Sequence, residues 1–146
     1  MDGMSLRVLG LTALAFAVLL QPASAQKKTW TDAEVMKVHR SALLIDTHND
    51  VTSKTVDGFD IGPLAKDGHT DVVRMKQGGQ GGIFFAVYVG ADNVEGNHSA
   101  HRTLQMIDTV RHDIIEGHPN DFAFAGSVAE TLAAHKHGKI AALMGI

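Results

Sequence analysis

The side chains with chemistry in them gather at residues 46–50. An apolar run, Leu43-Leu44-Ile45, leads through Asp46-Thr47 into His48-Asn49-Asp50. In a strand, successive side chains alternate between faces, so His48 and Asp50 fall on one side and Asn49 on the other. A neutral imidazole nitrogen and a carboxylate oxygen, two residues apart at a strand's end, can grip one metal ion or flank a bridging water. The residues alone leave two readings open: half of a metal site, or a hydrogen-bonded pair that closes a strand. On the metal reading, the other half of the donor set is expected from outside this chain.

No other stretch competes with it. The sequence holds nine histidines and no cysteine, which excludes disulfides, thiolate metal sites and cysteine nucleophiles. His98 and His101 have a spacing of three that could hold a metal, and read better as the first turn of a helix facing water. His112, His118, His135 and His137 fall near expected helix C-termini, where positive charge is welcome. His69 precedes a helix start and reads as solvated. The glycines of 78–82 precede a strand instead of following one, so they do not form a dinucleotide-binding loop. A formal net charge of -3 provides no broad basic surface for nucleic acid.

The first 25 residues read as an export signal. Arg7 is followed by an apolar run at 8–20, and Ala23-Ser24-Ala25 supplies small residues for cleavage before Gln26. That run is 13 residues long, against the roughly 20 that a spanning helix needs. The mature chain, 26–146, is then expected outside the cytoplasm, in a bacterial periplasm or secreted, with no membrane span.

The elements that must position His48 and Asp50 follow in order. Thr31-Asp32-Ala33-Glu34 fits a capping box, with Trp30 and Val35 as a hydrophobic staple, and predicts a helix over 32–41. Val35, Val38 and Ala42 form its apolar face. Residues 43–47 read as a strand buried on both faces. An irregular stretch over 49–66 is suited to forming a substrate wall. Thr70-Asp71 opens a short helix that Gly78-Gly79 ends. Residues 83–89 form the clearest strand, and the pair Phe84-Phe85 reads as core. Asn97 is expected to cap a long helix to about Glu116, burying Leu104, Ile107, Val110 and Ile114. Residues 122–124 read as a brief strand. Ser127-Val128-Ala129-Glu130 is a second capping box, opening a helix that ends near His137. Residues 140–146 read as a last buried strand. Strands alternating with helices imply a parallel sheet of the α/β class. Such a sheet would leave an open edge at 140–146, and the chain is expected to be the N-terminal piece of a longer protein.

Those segments resemble the membrane dipeptidase family, also called renal dipeptidase-like or M19 peptidases. The matching pieces are Ile45-Asp46-Thr47-His48-Asn49-Asp50, residues 70–82, residues 84–89, Ala125-Gly126-Ser127-Val128 and residues 138–146. They cover nearly all of the mature chain, in family order and spacing. The resemblance implies the first part of a TIM-like (β/α)8 barrel of the metal-dependent hydrolase type, incomplete in this chain. It implies two zinc ions, with His48 and Asp50 as first-strand ligands, and hydrolysis of small dipeptides by a two-metal-activated hydroxide. In the family, a Glu-Gly-Gly whose Glu bridges both metals follows the third strand, and Ile146 is where this sequence stops. The later histidine ligands and the acidic residue near the last strand do not occur here either. The 146-residue piece is therefore expected to be inactive and poorly soluble alone, and the full-length form to pair as a homodimer. No catalytic residue beyond the ligands is assigned. The alternatives are a non-catalytic secreted fragment or binding domain, and another metal-dependent amidohydrolase on the same barrel.

Overall fold

The computed structural model describes residues 28–146, so the expected signal at 1–25 lies outside the described residues. The chain divides into a leading unit that ends at Thr31 and a body, Asp32–Ile146. In the leading unit, residues 28–31 form neither helix nor strand, and the Lys28 ammonium lies 3.6 Å from the centre of the Trp30 ring.

The body is built on a parallel four-stranded sheet: β1 (Leu44–Asn49), β2 (Gln80–Ala86), β3 (Phe122–Phe124) and β4 (Ile140–Gly145), in the order β1-β2-β4-β3. The helices between them are α1 (Asp32–Ser41), α2 (Thr52–Thr55), α3 (Val72–Gly78), α4 (Ser99–Thr109) and α5 (Val128–Lys136). Short 3-10 turns at Ala91–Asn93 and Glu95–Asn97 precede α4. A π-helical segment, Val110–Glu116, continues α4.

Register assigns the two faces of the sheet. Ile83 pairs with Ala142, Phe85 with Met144 and Phe122 with Ile140, and paired residues of a parallel sheet share a face. That face is the main core. Ile83, Phe85, Phe122, Ile140 and Ala142 pack there with Val72 and Met75 of α3, Met106 of α4, and Val110 and Ile114 of the π segment. Phe85 and Phe122 meet edge to face, with ring centres 5.9 Å apart. The opposite face carries Ala123, Ala141 and Leu143, against which Ala134 of α5 packs.

Four expectations change. First, β1 is exposed along most of its length, where burial on both faces was expected. It pairs with β2 alone, so it is an edge strand of the described sheet. Second, β4 is not an open edge over its first half, because β3 pairs with residues 140–142. Third, Asn97 does not cap α4. It sits at φ 60, and α4 begins at Ser99, whose hydroxyl donates to the Asn93 carbonyl at 3.0 Å. Leu104 is 64% exposed and Met106 is buried in its place. Six residues before Val110 is about 1.7 turns, which puts Leu104 on the far side of the helix, whereas Met106 is close to one turn away. Fourth, the apolar stripe of α1 is uncovered, with Val35 52% and Val38 65% exposed.

The remaining starts and stops follow from local chemistry. Asp71 caps α3 by accepting the Arg74 N–H, and Gly79 ends it at φ 72, in the left-handed region that glycine enters freely. Ser127 caps α5 by accepting the Glu130 N–H, and the Glu130 carboxylate reaches back to the Gly126 N–H at 2.8 Å and the Ser127 hydroxyl at 3.0 Å. Among the described residues, no helix is long and apolar enough to cross a membrane.

Candidate metal centre

His48 and Asp50 converge. His48 Nε2 and Asp50 Oδ1 lie 3.2 Å apart at the C-terminal end of β1, on side chains 67% and 74% exposed. Their convergence is not simple strand alternation. Asp46 pairs with Ile83 and Asn49 with Phe85, so β1 spends one residue more than β2 over this stretch. That is a β-bulge. It puts Asp46 and Asn49 together on the helix-covered face and turns the neighbouring His48 away from it.

Asp46 holds this geometry from behind. Its Oδ1 accepts the His48 backbone N–H at 3.1 Å, and its Oδ2 accepts the Asn49 Nδ2 at 2.8 Å. The same Asn49 Nδ2 donates to Thr70 Oγ1 at 3.1 Å, and Asn49 Oδ1 accepts the Val51 N–H at 3.0 Å. The Asp50 carbonyl accepts the Ser53 hydroxyl at 2.7 Å and the Ser53 N–H at 3.0 Å. The backbone carrying both donors is thus tied to the sheet on one side and to the first turn after the strand on the other. Asp46, Asn49 and Thr70 as positioning residues went unread in the sequence, although Asp46 and Asn49 lie inside the motif itself.

The donors form one wall of an open cleft of about 410 Å³, whose other wall is the stretch Asp67–Thr70. That wall is anchored by Asp71, which has no exposed surface. Asp71 accepts the Arg74 N–H at 2.9 Å and the Ala65 N–H at 3.4 Å, and pairs with the Arg74 guanidinium. The guanidinium in turn donates to the Ala65 carbonyl at 3.0 Å. Burial pushes the Asp71 carboxyl up, but the two amides and the Arg74 charge outweigh it and hold it below its ordinary value. The Val72 N–H also donates to the Ile61 carbonyl at 2.9 Å, which fastens the loop at a second point.

His48 Nε2 and Asp50 Oδ1 are at hydrogen-bond distance, and their spacing is also one that two ligands of a single zinc ion would have. Two ligand atoms about 2.0–2.2 Å from one tetrahedral zinc lie about 3.3 Å from each other, and the observed separation is 3.2 Å. The fit is partial: among the described residues, no group of three or more His, Asp or Glu side chains converges to hold a metal. His69 lines the same cleft without joining the pair. His98 and His101 stay apart from it, at the start of α4. His118 instead pairs with Asp60 at 3.1 Å, across a gap that Gly62 leaves open, since a Cβ there would sit 2.4 Å from the imidazole.

Comparison with known proteins gives the same architecture. The dipeptidase ataJ of Aspergillus terreus is 35% identical over 86 residues, covering 54% of this chain and 21% of that protein. The crystal structure of dipeptidase AC, a metallo peptidase of family M19, superposes with a TM-score of 0.63 at 23% identity, covering 70% of this chain and 34% of that one. A metallo peptidase from Rhodobacter sphaeroides, liganded with a phosphinate mimic of the dipeptide L-Ala-D-Ala, superposes with a TM-score of 0.61 at 20% identity, covering 70% and 37%. The chain spans well under half the length of each of these proteins. Its α/β fold, with a parallel sheet, is part of the TIM-like barrel those dipeptidases share. The sequence pattern of the membrane dipeptidase family, peptidase family M19, matches residues 32–146, and the chain belongs to that family.

Proposed function

We propose that this chain serves a zinc-dependent dipeptidase and that His48 and Asp50 supply the first-strand ligands of its metal site. The observation that carries the proposal is the convergence of the two donors to 3.2 Å at the end of β1, inside the family match. His48 would give a neutral nitrogen and Asp50 an anionic oxygen. Zinc, when bound, polarises a peptide carbonyl and makes water nucleophilic near neutral pH. The residues of this chain do the positioning. Asp46 fixes the His48 backbone, Asn49 closes the bulge and binds Thr70, and Ser53 holds the Asp50 carbonyl. A closed zinc shell takes four ligands as a rule, so these two form part of one, and a second zinc ion belongs to the same proposal. Export by residues 1–25 and pairing of the assembled enzyme complete it.

The test is a zinc titration against a chromophoric chelator, together with an assay of Ala-Ala hydrolysis by the enzyme that carries this chain. His48→Ala and Asp50→Ala are each expected to weaken zinc binding by at least about tenfold and to abolish zinc-dependent hydrolysis. Full activity in His48→Ala would remove the assigned role.

A further inference from the structure

Phe59 faces two ways. Half-buried, it packs against the main core, and it also lines the cleft that His48 and Asp50 line. It stands in the segment 57–62, just after α2, the single turn that begins two residues beyond Asp50. Backbone bonds tie this segment to the donors through α2. The Asp50 carbonyl accepts the Ser53 N–H at 3.0 Å, and the Lys54 carbonyl accepts the N–H groups of Asp57 and Phe59, both at 3.1 Å. The Lys54 side chain reaches toward the wall at 67–70, where a Cβ on Gly68 would lie 3.4 Å from its Nζ. Two side chains from elsewhere hold the segment on its other side. Asp57, before Phe59, pairs with Arg102 of α4 at 2.9 Å, and Asp60, after it, with His118 at 3.1 Å. Asp60 Oδ1 also accepts the Gly62 N–H at 2.8 Å. Arg102 and His118 are half-buried and the two aspartates are exposed, so the frame supplies the fixed end of each pair. Arg102 and His118 stand 16 positions apart, on one helical run and the turn that ends it. That run is on the order of 20 Å long, so the segment is held from two well-separated points with Phe59 between them.

We propose that Arg102 and His118 are positioning residues for the substrate: through Asp57 and Asp60 they hold Phe59 as an apolar wall of the cleft in which the peptide lies. The proposal rests on the dipeptidase reading and extends the site to two side chains remote from the donors in sequence. An exposed ion pair adds little to the stability of a whole fold. The same small energy decides how often a short segment opens locally. A ligand that needs the wall in place binds more weakly in proportion to the time the wall is away. The effect therefore falls on KM. It spares kcat, because bound substrate has already selected the closed wall, and it spares zinc affinity, because the donors are shaped by Asp46, Asn49 and Ser53.

The experiment measures kcat and KM for Ala-Ala in the zinc-loaded enzyme that carries this chain. Amide hydrogen exchange over 57–62 is followed beside it and requires no turnover. Arg102→Ala and His118→Ala are each expected to raise KM about two- to fivefold, the scale of an exposed ion pair, with faster exchange at 57–62 and with kcat and zinc affinity unchanged. Asp57→Ala removes the first pair from its exposed end and is expected to match Arg102→Ala, while Arg102→Lys keeps the charge and most of the wild-type KM. Phe59→Ala is expected to raise KM by itself, and Arg102→Ala added to it should raise KM no further. Unchanged exchange in both alanine variants overturns the proposal, as does faster exchange at an unchanged KM. A fall in zinc affinity also overturns it, by moving the effect onto the donors. No hydrolysis of dipeptides by the zinc-loaded wild-type protein overturns the dipeptidase reading, and the substrate role of Phe59 with it.

Discussion

In the proposed metal site, Asp46 would act without touching the metal. Both its oxygens are occupied in shaping the bulge, one by the His48 amide and one by Asn49. Groups that orient ligands commonly matter about 10–100-fold for metal affinity. Asp46→Ala is therefore expected to weaken zinc binding within that range, as measured by chelator competition, while His48 and Asp50 remain in place. Asp71 acts one shell further out, anchoring the opposite wall of the cleft. Removing it leaves the half-buried Arg74 guanidinium and the Ala65 and Arg74 amides without their acceptor, a loss of about 1–3 kcal/mol. Urea unfolding of Asp71→Ala should show that loss.

The elements add a dependence on pH whose two limbs have opposite signs. The Asp71 and Glu130 carboxyls sit below their ordinary values, Asp71 through its amides and arginine despite burial, Glu130 through the Gly126 amide and the Ser127 hydroxyl. A carboxyl depressed by folding stabilises the protein above its unfolded value and loses that contribution as pH falls through the folded one. The acid limb is therefore expected below about pH 4, and Asp71→Asn should flatten it when the unfolding midpoint is followed against pH. His112 is held above its ordinary value by Glu116, hydrogen-bonded at 2.8 Å, and by the charge of Asp108. Its contribution is full below about pH 6.5 and disappears as pH rises through the folded value. It sits in the π-helical segment, whose wide turn carries the Gly117 N–H to the His112 carbonyl at 2.9 Å. The same turn brings the Asp113 carbonyl oxygen to 2.2 Å from where a Gly117 Cβ would stand. Backbone cannot yield as a side chain can, so Gly117→Ala is expected to cost about 1–3 kcal/mol, visible as a lower melting temperature.

At the scale of the whole body, stability lies on one face of the sheet. Phe122 and Phe124 are two residues apart in β3, with Phe122 1% and Phe124 46% exposed. Phe122→Ala removes the edge-to-face partner of Phe85 and opens the core, at about 3–5 kcal/mol. Phe124→Ala removes a ring that is half in water, and its cost should be a small fraction of that in the same denaturation experiment. The opposite face is more open. Leu43, Ile45, Phe84, Leu132 and Leu143 line an apolar hollow of about 620 Å³ there. His48 and Asp50 stand at the C-terminal end of β1, the end at which barrel enzymes carry their chemistry.

The order of strands and helices, the caps at Asp71 and Ser127, the glycine stop at Gly79 and the closeness of His48 to Asp50 were legible in the sequence, because each depends on residues within a few positions of one another. The family pattern was legible for the same reason, as short motifs in fixed order. What the tertiary structure alone decided is set by partners far along the chain. The place of β3 outside β4 depends on a pairing that bridges a helix, and among the described residues β1 pairs with β2 alone. The bulge that turns His48 away from Asp46 exists only in the register between β1 and β2, which local alternation cannot reveal. Lys54 became a cleft residue only when the loop at Gly68 folded back across from it, since no spacing in the sequence brings those two positions together.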